Sequence, residues 1–288
     1  MKRTLLAATI LLVAMQTFAQ TDTTKNSSSD TIQVGNFIIV KKPKKNVTVI
    51  VSVGNNKDID ASENAGKKKR KNVSTNWWIV DLGFTNFKES TNYSNAQAGG
   101  YLKTLNAAAG PVTENSMKLN TGKSSNVNLW LFIQKLNVSK HVLNLKYGLG
   151  LEMYNFRYNK NISYRKDPNP FVFNDTVSFS KNKLYVGYLT VPLMVNINAT
   201  PNKKNGFSIS AGVSAGYLVG SRNKQVSDAR GKVKYKGDFD LQPFRLAAVA
   251  EVGLGPVRLF GSYSLNKLHN DGTRLELYPH AVGIRFSN

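Results

Sequence analysis

Residues 141–154, HVLNLKYGLGLEMY, alternate with a period of two. Leu143, Leu145, Tyr147, Leu149, Leu151 and Met153 fall on one side, Asn144, Lys146, Gly148, Gly150 and Glu152 on the other. Successive side chains of a strand point to opposite faces, so the run predicts a strand with one apolar and one polar face. Seven further segments carry the same beat: 77–87, 126–136, 183–199, 207–220, 243–252, 257–266 and 275–286. The links 88–125, 158–182 and 221–242 are long and polar. Those at 137–141, 200–206 and 253–256 are short, and 267–274 is intermediate with an Asp271-Gly272 turn signal. Long and short links alternate, as in an up-and-down meander with loops at one end and turns at the other.

Alternation alone does not separate a soluble barrel from a membrane barrel, because one is the other turned inside out. The content of the polar face does. In the fifth segment Phe207, Ile209, Ala211, Val213, Ala215, Tyr217 and Val219 oppose Ser208, Ser210, Gly212, Ser214, Gly216, Leu218 and Gly220. Serine and glycine suit a crowded concave interior better than a water-facing surface. The predicted fold is all-β: an eight-stranded antiparallel up-and-down transmembrane β-barrel with an N-terminal periplasmic arm. Leu145, Leu149, Leu151, Val191, Leu193, Ile209, Val213, Leu259 and Ile284 are then lipid-facing. The opposite parity also holds Asp81, Lys146, Glu152, Arg245, Glu251, Arg258 and Arg285, three acids and four bases. Near-balance is what an interior charge network requires, since a buried charge is tolerable when paired. If the GLGP turn joins Val252 to Val257, Glu251 lies directly across from Arg258. The competing reading of these charges is the exposed face of a soluble sheet. Aromatics near segment ends, among them Trp77, Trp78, Phe84, Tyr217, Phe244, Tyr263 and Phe286, fit girdles at the two lipid–water interfaces.

The 288-residue chain has no cysteine, which excludes disulfides, thiolate chemistry and lipoprotein acylation. Met1-Lys2-Arg3, the apolar run 5–15 and Thr17-Phe18-Ala19 read as a secretory signal peptide over 1–19. Loss of Lys2 and Arg3 takes the formal charge from +22 to +20, and export argues against nucleic acid as a partner. Residues 20–75 form a polar and basic arm: a disordered stretch over 20–34, a short hairpin over 36–53, and a linker ending in Lys67, Lys68, Lys69, Arg70 and Lys71. The barrel occupies 76–288. The basic run precedes the first strand and so forms a periplasmic basic patch, suited to phospholipid headgroups or else simply solvated.

The signal peptide, the basic arm, DLGF at 81–84, YLTVPLMV at 188–195 and LYPHAVGIRF at 277–286 together resemble the small outer-membrane β-barrel proteins of the Bacteroidetes, the PorT-like or OmpA/OmpX-like barrels. The resemblance spans about residues 75–288. It implies an eight-stranded barrel in the outer membrane, without catalytic residues to carry over. It also implies a closing aromatic residue read by the barrel-assembly machinery; here Phe286 is followed by Ser287 and Asn288.

The three histidines are His141, His269 and His280. None pairs with another at ligand spacing; His269 and Asp271 share a segment that reads as a solvated loop. YGLGLE at 147–152 has no following helix to hold a phosphate, and GVSAG at 212–216 lies mid-strand rather than at a strand–helix turn. No cofactor or metal is expected. The expected function is non-enzymatic: an integral outer-membrane barrel with a side-chain-filled lumen and a structural or surface-binding role. Its partners would be membrane lipid, lipopolysaccharide, and an unknown protein at the outer loops. The alternatives are a soluble periplasmic lipocalin-like binder of an apolar ligand and a lipid-modifying barrel enzyme using Ser214 or His280.

Overall fold

The computed structural model describes residues 30–34, 37–41, 49–50, 71–201 and 206–286, divided into an N-terminal unit up to Lys68 and a larger unit from Lys69. The signal-peptide segment 1–19 lies outside the described residues. In the N-terminal unit β1 (Asp30–Val34), β2 (Phe37–Lys41) and β3 (Val49–Ile50) make an antiparallel sheet in that order. The end of the stretch expected to be disordered is therefore a strand. Val34 pairs with Phe37, so β1 and β2 are joined by a two-residue link.

In the larger unit eight long strands close on themselves. They are β4 (Val73–Glu89), β6 (Ser125–Ser139), β7 (Leu143–Arg157), β10 (Lys181–Asn198), β11 (Phe207–Ser227), β13 (Phe244–Leu254), β14 (Val257–Ser264) and β15 (Leu277–Phe286). Each is antiparallel to its neighbours, in the order β10-β7-β6-β4-β15-β14-β13-β11, and β11 pairs back to β10. Closure leaves the wall no open edge. The turns follow local chemistry. Gly255 (φ +62°) and Pro256 link Leu254 to Val257, with the positive φ at the first central position, where glycine costs least. Lys140 and His141 both adopt positive φ between β6 and β7, as a type I′ hairpin requires.

Parity holds along the strands. On β11 Phe207, Ile209, Val213, Tyr217 and Val219 are exposed, while Ser208, Ser210 and Ser214 are buried. Three irregularities interrupt it: Val138 near the end of β6 and Val219 on β11 are each unpaired, and on β4 Trp77 pairs with Phe132 and Ile79 with Trp130, so Trp78 (φ +55°) and Leu131 form the third bulge. The bulge turns both Trp77 and Trp78 outward, at 60% and 78% exposure.

The long links are not simple polar loops. The link 90–124 contains a short helix, Tyr93–Ala98, capped by Asn92, whose side chain accepts from the Asn95 N–H. Its β5 (Leu102–Lys103) pairs in parallel with β9 (Phe171–Asn174), which is antiparallel to β8 (Ile162–Arg165). The next link becomes a hairpin as β12 (Gly231–Lys236) folds back on the far end of β11. Their apolar residues, among them Tyr101, Val112, Met117, Ile162, Val172 and Phe239, pack into one core with Tyr154, Phe156, Leu184, Val186 and Tyr188 of the barrel. The links thus form a folded cap over the long-loop end. The inner face is small and ionic toward the turn end but aromatic and aliphatic beneath the cap, which alters the expectation of a uniformly small and ionic lumen.

Candidate functional site: the barrel interior and its cap

Charges from five strands meet inside the barrel. Arg285 of β15 grips Asp81 of β4 with two parallel bonds, Nε and Nη2 each at 2.7 Å. Asp81 also accepts from Trp130 Nε1 (2.7 Å) and Asn128 Nδ2 (3.1 Å), which satisfies a carboxylate with no exposed surface. Arg285 Nη1 continues to Glu251 (2.5 Å), which Lys146 Nζ (2.6 Å) and Arg258 Nη1 (3.1 Å) also contact. One carboxylate therefore serves three cations. Nearer the cap, Arg245 bonds Glu152 (2.7 Å) and Ser264 Oγ (2.8 Å) and lies 4.9 Å from the Tyr154 ring centroid. Between the two clusters is a cavity of about 20 Å³, room for a single water, lined in part by Trp130, Ser214, Glu251 and Arg285.

Small residues make room for the large ones. A Cβ on Gly150 would lie 2.7 Å from Trp130 Cε3, and one on Gly283 would lie 2.7 Å from Phe260 Cε1. Both rings in turn face the Arg285 guanidinium, at 5.1 and 6.0 Å.

All seven charged positions singled out in the sequence point inward. Six are at most 6% exposed, and the Arg258 side chain is 17% exposed. The register at the GLGP turn differs from expectation. Glu251 faces Phe260, and Arg258 faces Gly253. The turn is two residues rather than four, which draws Gly253 and Leu254 into the ladder and uses Gly255 at its positive φ. Arg258 still reaches Glu251 as a diagonal neighbour. Leu151, Val191, Leu193, Ile209, Val213, Leu259 and Ile284 are exposed on the outer wall, and Leu145 and Leu149 are half-buried there. Of the basic run, Lys71 is exposed, while Lys67, Lys68, Lys69 and Arg70 lie outside the described residues.

The cap contains two features that sequence reasoning missed. His269, expected in a solvated loop, has no exposed surface. Its ring stacks on Tyr164 and meets the edge of Tyr101, and neither nitrogen has a hydrogen-bond partner. Burial lowers its pKa to about 3, so the imidazole is neutral. Asp175 accepts from Ser163 Oγ (3.0 Å) and from both Nη atoms of Arg230 (2.7 and 3.1 Å). Burial opposes its ionisation, but those bonds hold its carboxyl below the usual range. Among the described residues no three His, Cys, Asp or Glu side chains group as metal ligands. Ser214 lies inside the wall, whereas His280 stacks on the outward Tyr263, so the two do not form a dyad.

A family model described as outer membrane protein beta-barrel domain matches residues 78–270. No curated protein matches the chain. Among solved structures, Ail, the attachment invasion locus protein of Yersinia pestis, is 10% identical, with a TM-score of 0.31 over 74% of this chain and 98% of that one. The same protein in complex with the heparin analogue sucrose octasulfate gives 10% identity and a TM-score of 0.30 over the same shares. The family match spans well over half of a sequence whose fold is a closed eight-stranded barrel, and the chain belongs to the outer membrane protein β-barrel domain family.

Proposed function

We propose that this outer-membrane protein is a non-enzymatic anchor: a sealed barrel that holds a folded cap at the cell surface for a structural or binding role. The observation that carries the reading is the shared Glu251, through which Lys146, Arg258 and Arg285 cross the lumen beside the 20 Å³ cavity. A conducting pore needs a continuous aqueous path, which eight strands are too few to provide around these side chains. The nine lipid-facing aliphatics named above would contact hydrocarbon. Phe84, Tyr217, Phe244 and Tyr263 would mark the upper interface, and Trp77, Trp78, Phe207 and Phe286 the lower. The ten residue steps from Phe207 to Tyr217, at ~3.3 Å each and tilted ~40°, span about 25 Å, the height of the apolar band in such barrels. Long loops then face outward and tight turns face the periplasm.

Within the family, the segments 81–84, 188–195 and 277–286 support a PorT-like assignment. The signal peptide would be removed on export, β15 with Phe286 would be read by the barrel-assembly machinery, and Lys67–Lys71 would rest near periplasmic headgroups. The test is reconstitution in planar bilayers together with gel migration. A heat-modifiable band and no stepwise conductance are expected. A stable open channel rejects the sealed anchor, and recovery as a soluble periplasmic monomer favours the lipocalin-like alternative.

A further inference from the structure

Above the outer aromatic belt the wall carries a row of four cations on four adjacent strands. Arg157 of β7 pairs with Lys183 of β10, Lys183 with Lys224 of β11, and Lys224 with Lys234 of β12. Arg157, Lys183 and Lys224 alternate with buried residues and so face outward, and Lys234 is exposed between the half-buried Val233 and Tyr235. The neighbouring outward positions on these strands add Lys181 and Arg222 and hold no acid. Arg222 lies 4.6 Å from the ring centroid of Tyr185, two residues below Lys183.

Like charges directly opposite each other destabilise a sheet. The lysines of β12 are accounted for by its free edge, since lysine discourages edge-to-edge pairing. Arg157, Lys183 and Lys224 sit on strands with partners on both sides, and edge protection does not explain them. Their mutual repulsion would be relieved by an anion of matching extent. Neighbouring strands are ~4.8 Å apart, so the row is about 14 Å long. With strands tilted ~40° it climbs by roughly 10 Å from Arg157 to Lys234. A phospholipid surface offers phosphates at one depth and would meet only the lower end.

We propose that this ridge binds the phosphate groups of a multiply phosphorylated glycolipid of the outer leaflet, that is, lipopolysaccharide. The inference rests on the orientation argued above, with the long loops outside the cell. The full chain is reconstituted in phosphatidylcholine vesicles. The temperature at which its heat-modifiable band disappears is then read with and without added phosphorylated lipopolysaccharide. A ligand that binds the folded state raises that temperature. The expected result is a rise of several degrees. It should be absent with dephosphorylated lipopolysaccharide, smaller at high salt, and lost in Arg157→Gln/Lys183→Gln/Lys224→Gln/Lys234→Gln. Four neutralisations at roughly fivefold each weaken binding about a hundredfold or more. The variant Lys183→Arg/Lys224→Arg/Lys234→Arg should keep the rise, which makes the test independent of whether the glutamine variant folds. An equal rise with phosphatidylglycerol at matched charge overturns the proposal, as does an equal rise in the glutamine variant. A rise with soluble sulfated polysaccharide but none with lipopolysaccharide overturns it in favour of a soluble polyanion. Failure of the parent to give a heat-modifiable band would sink the barrel reading instead, whereas a well-inserted parent that ignores lipopolysaccharide sinks the ridge alone.

Discussion

Glu251→Gln is the sharpest perturbation of the interior. The substitution keeps shape and removes one charge from a site 2% exposed. Arg285 retains its two-bond grip on Asp81, but Lys146 loses the carboxylate it contacts at 2.6 Å and Arg258 its contact at 3.1 Å. Removing one partner of a buried ion pair leaves an uncompensated charge and costs about 3–5 kcal/mol. Because two cations are stranded and one of them is partly exposed, we expect about 4 kcal/mol. Urea titration in lipid vesicles, following the folded band, gives the loss directly. Adding Lys146→Met removes the more deeply stranded cation and should restore about 2 kcal/mol, a coupling of the size seen between residues in contact. By contrast, exchanging the charges of Arg258 and Glu251 should not restore stability, because an arginine at 251 would face Lys146 and Arg285. A Glu251→Gln protein within ~0.5 kcal/mol of the parent would show that these cations are solvated and would refute the sealed interior.

Three further outcomes follow. Leu149→Arg should cost about 2–4 kcal/mol of folding stability in bilayers, the price of a cation at midplane on the lipid face; a protein as stable as the parent would show that the faces are reversed. Gly150→Val should push the Trp130 indole off Asp81, because even a Cβ there lies 2.7 Å from the ring, and a red shift of tryptophan emission should report it. His269 has a folded pKa of about 3 against 6.5 for the ordinary group, so its neutral form is favoured by folding. That contribution is complete above pH 6.5 and is lost as the pH falls toward 3, at about 1.4 kcal/mol per unit. Cap loops should therefore become protease-sensitive near pH ~5, and His269→Phe should flatten the response.

The eight wall strands were legible because membrane and lumen impose opposite chemistry on alternate residues, and that contrast is written into each strand by itself. The inward charges shared the parity of serine and glycine and so could be sorted to one face. Their pairing could not be read, since Arg285 and Asp81 are 204 residues apart. The GLGP register was misjudged by two residues, a shift that keeps every side chain on its own face and leaves parity blind to it. The cap was illegible for a different reason. Tyr101, Val112, Met117, Ile162, Val172 and Phe239 are scattered singly or in very short runs through polar sequence, and only tertiary packing gathers them. His269 looked solvated because its neighbours in sequence are polar, while the rings that enclose it, Tyr101 and Tyr164, come from other links.

The bond between Arg285 and Asp81 joins the final strand to the first along the seam where the sheet meets itself. Until that seam shuts, Asp81 has no cation and Arg285 has Glu251 alone, two strands in from the seam and already shared with Arg258. Shutting it gives Asp81 its two-bond partner and brings Lys146 from the far side of the sheet to Glu251. Completion of the cylinder is thus rewarded in one step rather than gradually, and a register slipped at the seam would forfeit the whole reward, which gives the nascent wall a built-in proofreading of its own ends.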